Sequence, residues 1–113
     1  MNGVVAQTKA AGSLADWIAP SRTAVIVVDM QVGLLAGPPK HDLDAVVARL
    51  NRLTGAARAG GGAAIFVRHC GPPGEEFAPG TPSWEFLPAL RREAGDLIVE
   101  KTLNDPFAGT TLK

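Results

Sequence analysis

The chain has one cysteine, Cys70, among its 113 residues. That excludes an internal disulfide and a cysteine-based zinc cluster, and it fits a reducing compartment. Neither sign of charge is in excess, since lysine plus arginine and aspartate plus glutamate number 11 each. A balanced chain sets up no global field, so nucleic acid and anionic membrane surfaces are disfavoured as partners. No segment approaches the roughly 20 apolar residues that cross a bilayer, and the first residues lack a basic region followed by an apolar signal core. These absences lead us to expect a soluble, cytoplasmic protein. The length allows one domain with a modest core.

What is present is organised around residues 23–31, Thr-Ala-Val-Ile-Val-Val-Asp-Met-Gln. A continuous apolar run with β-branched residues marks a strand covered on both faces, the pattern of a parallel α/β sheet. Asp29 sits at its carboxyl end, where open α/β sheets bind ligands. Before the strand, residues 1–12 are small and polar and read as a leader. Ser13 is placed to cap a short turn through Leu14, Asp16, Trp17 and Ile18 that Pro20 would stop, giving an apolar flap with Trp17 as packing. Residues 1–22 are therefore expected to form leader and flap, and residues 23–113 the domain.

After a loop over Val32 to Pro39 the period changes. Leu43, Val46, Val47, Leu50 and Leu53 recur at helical spacing, with Asp42 as N-cap. Gly60, Gly61 and Gly62 end the helix. A phosphate-cradling role for these glycines is disfavoured, because such loops follow a strand and open a helix. The second strand runs from Ala63 to about Arg68. Strand, helix and strand make a right-handed βαβ unit whose strands are parallel, so Asp29, His69 and Cys70 approach one rim. His69 lines that rim or satisfies a backbone carbonyl, and Cys70 reads as a small buried hydrophobe.

The segment Gly71 to Pro82, with Glu75 and Glu76, suits either a substrate-covering loop or a solvated connection. Trp84, Phe86 and Leu87 supply apolar anchors, and Pro88 is expected to open a short helix to about Ala94. The third strand spans Leu97 to Glu100 and delivers Lys101. Placed outside the second strand, it lies about 10 Å from the first. A lysine covers that distance, and an Asp29 and Lys101 pair would hold the carboxylate charged and ready to accept a proton.

Four motifs occur in order: Val27-Val28-Asp29-Met30-Gln31, Phe66-Val67-Arg68-His69, Pro79 to Glu85, and Val99 to Thr102 continuing through Phe107, Gly109, Thr110 and Leu112. Together they resemble the isochorismatase-like cysteine hydrolases. The resemblance implies an α/β fold, a Rossmann-like parallel sheet flanked by helices in a three-layer sandwich, of which the first three strands are written here. It implies hydrolysis of a small amide or related substrate by an Asp, Lys and Cys triad, without a cofactor. Asp29 takes the place of the general base and Lys101 that of the triad lysine. Gln31, His69, Trp84 and Phe107 fall to the substrate pocket.

The family's nucleophilic cysteine opens a helix after a fourth strand, where the helix N-terminus favours a thiolate and backbone N–H groups stabilise an oxyanion. Cys70 does not occupy that position. We therefore expect these residues to be the amino-terminal portion of such a hydrolase, with the cysteine beyond them. The family's strand order, 3-2-1-4-5-6, would leave the first strand with a bare edge. Nicotinamidases carry an Asp and two His metal site after the second strand, whereas this loop offers Glu75 and Glu76, so no metal is expected and nicotinamide is disfavoured. A phosphotransferase of the haloacid dehalogenase type would need Asp where Gln31 stands. The remaining alternative is an inactive fragment or a partner-dependent assembly module, whose open edge would be covered by a homo-oligomer contact.

Overall fold

The computed structural model describes residues 19–112; the leader and the turn from Ser13 to Ile18 fall outside the described residues. A short 3-10 turn, Pro20–Arg22, leads into strand β1, Ala24–Val28. A one-turn helix α1, Val32–Leu35, and a long helix α2, Leu43–Ala59, follow. Strand β2, Ala63–His69, and strand β3, Leu97–Lys101, complete the described elements. The strands form one parallel sheet in the order β1-β2-β3, with Val27 opposite Phe66 and His69 opposite Lys101. The expected α/β class and strand order hold, and all three carboxyl ends reach one rim.

One face of the sheet is packed by α2. Val27, Ala64 and Phe66 from the strands meet Val47, Phe86 and Leu90, and Leu43 and Leu50 close the edges of this core. Phe66 and Phe86 touch edge to face with centroids 5.8 Å apart, a favoured aromatic geometry. The expected helical stripe needs one correction. Leu53 is 54% exposed, and the buried row passes through Val47, Thr54 and Ala57. Thr54 is tolerated inside because its hydroxyl donates to the Leu50 carbonyl at 3.1 Å, which satisfies the buried polar group.

The ends of α2 also differ in detail from expectation. Asp42 stands at the N-cap but with left-handed backbone and no capping hydrogen bond. A capping side chain reaches the first turn from extended backbone; the Asp42 carboxylate instead lies 3.0 Å from His41. At the other end, Gly61 has φ +83°, and a Cβ on Gly62 would overlap the Thr23 and Pro20 carbonyl oxygens. The glycine run is there so that α2 can turn tightly beneath the start of β1.

No helix forms over residues 88–94. The Leu90 N–H closes a single turn on Leu87 O at 3.0 Å, and α2 side chains take the neighbouring backbone groups. Asn51 donates to Ala89 O at 3.0 Å and accepts from Arg91 N at 2.8 Å. Arg58 donates to Arg91 O at 3.1 Å and grips Asp96. The Arg58 hydrogen bonds hold the Asp96 carboxyl below its ordinary value, helped by the Glu93 N–H and opposed by burial. Backbone groups satisfied from outside have no need of a local helix.

The opposite face is thinly covered by the described residues. Val67, Val99 and Leu112 are buried together against Ile65, while Ile26 and Val28 are 41% and 40% exposed. Strand β1 has β2 on one side and no described strand on the other. No described helix is long and apolar enough to cross a membrane.

Candidate active site

The rim is made by the residues that end the three strands. Lys101 is the last residue of β3, and its Nζ lies 3.4 Å from Asp29 Oδ1. The lysine side chain is 3% exposed and the aspartate 37%, so the ammonium is sequestered and the carboxylate faces outward. Lys101 Nζ also donates to Leu103 O at 3.1 Å. Asp29 Oδ1 is buried against the ammonium and accepts no hydrogen bond among the described residues, which makes the contact a charge pair; the exposure of the aspartate lies in the rest of its side chain.

This meeting depends on a backbone irregularity. Strand alternation would send Asp29 to the side of Val27, the face under α2, while Lys101 shares the face of Val67 and Val99. Asp29 has φ +62°, an uncommon value for a residue with a Cβ. The left-handed turn breaks the alternation and aims the carboxylate across β2 to the lysine. Its N–H still donates to Val67 O at 3.0 Å, so the ladder reaches the turn intact.

Gln31 is fully buried. Its Oε1 accepts the His69 N–H at 2.8 Å, and its Nε2 donates to His69 O and to Trp84 O, both at 2.9 Å. The carboxamide is thus committed to backbone and shapes the rim from beneath, in place of the substrate contact that the resemblance implied. His69 is half-buried, with its ring edge to face against Phe77 at 5.8 Å. Phe107 is 49% exposed and lines an apolar groove with Ile26, Ile65, Leu97, Val99 and Leu112 on the thinly covered sheet face.

Cys70 is buried, and its Sγ accepts the Trp84 Nε1–H at 3.2 Å. The other partner of Trp84 escaped the sequence reading. The Arg68 guanidinium lies 3.5 Å from the Trp84 ring centroid and 4.7 Å from that of Phe86, and its Nη2 donates to Glu100 at 3.0 Å. A buried cation between two rings and an acid pins the 84–86 segment to the ends of β2 and β3. The available signal is Trp84 and Phe86 standing two residues apart, with an arginine near the end of the preceding strand.

The loop from Gly71 to Ser83 is knit to itself and to α1. The Gly71 N–H donates to Phe77 O at 2.8 Å, and Ser83 Oγ donates to Glu76 Oε2 at 2.9 Å. Gly33 N–H donates to Ser83 O at 3.0 Å, and a Cβ on Gly33 would overlap the Ser83 side chain. Among the described residues no three His, Cys, Asp or Glu side chains gather to hold a metal.

Known proteins share this fold. The model of the isochorismatase domain matches residues 23–113. A streptothricin hydrolase of Streptomyces noursei is 32% identical over 108 residues, which is 89% of this chain and 43% of that protein. The crystal structure of an isochorismatase from Pseudomonas putida superposes with a TM-score of 0.71 at 36% identity, over 84% of this chain and 50% of that one. A cysteine hydrolase from Pseudomonas syringae gives 0.69 at 30% identity, over 82% and 52%. The chain thus spans about half the length of these relatives. With a parallel sheet that superposes on theirs and a domain match from the first strand onward, this chain belongs to the isochorismatase family of hydrolases.

Proposed function

We propose that these residues supply the acid–base half of a hydrolase for a small amide or related C–N substrate. Asp29 accepts the proton of a cysteine thiol that lies outside this chain, and Lys101 balances the charge. The thiolate then attacks the carbonyl carbon, the C–N bond breaks, the amine leaves with the proton, and water releases the acyl group. The observation that carries the reading is the 3.4 Å contact between Lys101 Nζ and the buried Oδ1 of Asp29, in a carboxylate side chain that is otherwise 37% exposed at the rim. Cys70 is a poor nucleophile for this step, since its thiol is buried and held by Trp84. The family relatives, a streptothricin hydrolase among them, support a hydrolytic reaction.

The test is hydrolysis of a panel of small amides by the protein that carries these residues. Asp29→Asn and Lys101→Met are expected to lower kcat by about 100-fold or more, and Cys70→Ala to leave it unchanged. Full activity in Asp29→Asn would end the reading, and loss in Cys70→Ala would move the nucleophile to Cys70.

A second reading, an assembly module without catalysis, draws on the half-exposed Ile26 and Val28 beside the bare β1 edge. An apolar edge strand of this kind pairs readily with another copy. A concentration-dependent dimer in light scattering, lost in Ile26→Lys, is its expected signature.

A further inference from the structure

Strand β1 ends at Val28, but the strand beside it continues. In a parallel ladder, alternate residues turn their peptide groups to opposite neighbours. Val67 O accepts from Asp29 N, so residues 67 and 69 of β2 face β1. Cys70 N donates to Lys101 O at 2.8 Å, so residue 70 faces β3. Because Asp29 turns out of the strand, the His69 N–H and C=O meet no backbone from β1. Both would be left without a partner in a partly buried place, which is unfavourable.

Gln31 fills that vacancy. Its carboxamide presents an acceptor and a donor side by side as a peptide group does, and it takes the His69 N–H and C=O at 2.8 and 2.9 Å. Its second amide proton goes to Trp84 O at 2.9 Å, which ties the 84–86 segment to the same point. The Gln31 N–H donates to Asp29 O at 2.9 Å, so one residue holds the left-handed turn by its backbone and the end of β2 by its side chain. His69 is in register with Lys101.

The geometry points to Gln31 as the positioning residue of the Asp29 and Lys101 pair, its side chain replacing a residue of β1 in the ladder where the chain turns to aim the carboxylate. The catalytic consequence rests on Asp29 being the general base; the positioning does not.

The test uses the full chain with Gln31→Met, which removes all three side-chain bonds, and Gln31→Glu, which keeps an acceptor for the His69 N–H and loses both donors. Should the first fail to fold, the second carries the experiment. The readout is acetylation of Lys101 by acetic anhydride, followed by peptide mass spectrometry and normalised to exposed Lys40 in the same molecule. Both variants are expected to speed Lys101 modification about tenfold through local opening, while Ala57→Gly, which loosens α2 near the start of β1, leaves the ratio unchanged. No acceleration in the Gln31 variants, or the same acceleration in Ala57→Gly, would overturn the inference. In hydrolysis the Gln31 variants are expected to lower kcat with KM retained. Unchanged hydrolysis in Asp29→Asn would remove the general-base reading and leave the Lys101 result standing.

Discussion

Arg58 on α2 holds Asp96 at the entry to β3 by two hydrogen bonds, Nε to Oδ1 at 2.8 Å and Nη2 to Oδ2 at 2.6 Å. The aspartate side chain is 5% exposed and the arginine 16%. The pair ties the helical layer to the outer strand, and with it to the strand that ends in Lys101.

The lowered Asp96 carboxyl gives this tie a pH dependence. A depressed carboxyl contributes stability that is fully present above the unfolded value, near 3.8, and is lost as pH falls toward the folded value. Urea midpoints of the native chain and Asp96→Asn are therefore expected to differ by a constant amount from neutral pH to about 5, and to converge below about 4.

Phe66 is 1% exposed at the centre of the core and rests on Phe86. Phe66→Ala is expected to lower stability by about 3–5 kcal/mol, read as a fall in the urea midpoint with the slope retained.

Two glycines should respond in opposite directions. A Cβ on Gly55, inside α2, meets nothing within 4 Å, so Gly55→Ala should stabilise the chain by about 1 kcal/mol through helix propensity. Gly62→Ala drives a methyl into two backbone oxygens and should lower the melting temperature.

Arg68→Lys should not behave as a conservative change. A lysine lacks the planar group that stacks on Trp84 while reaching Glu100. A loss of about 1–2 kcal/mol is expected, with a red shift of Trp84 emission measured in a Trp17→Phe background.

The three strands and α2 were legible because each is written in one uninterrupted pattern: β-branched runs for the strands, apolar residues at helical spacing for α2. The shared rim of Asp29 and Lys101 followed from those strands, since parallel pairing brings their carboxyl ends together and a lysine spans two strand spacings. The contact itself needs the left-handed turn at Asp29, which no periodicity encodes. Other features rest on bonds between distant residues. Gln31 and His69 are 38 positions apart, as are Asn51 and Ala89 and the Arg58 and Asp96 pair. Local periodicity carries no record of such partners. Local pattern therefore predicts a helix from Pro88 and says nothing of the Arg68 stack or of the backbone bonds of Gln31.

The left-handed backbone at Asp29 also bears on how such a site can be lost. Asparagine tolerates that conformation nearly as well as aspartate, and a single G-to-A transition in the first codon position converts one into the other. Most other replacements disturb the turn as well as the charge, and would be purged with the misfolded chain. The easiest evolutionary exit from catalysis at this position is therefore silent in shape, a copy of the sheet that folds and survives with its base removed.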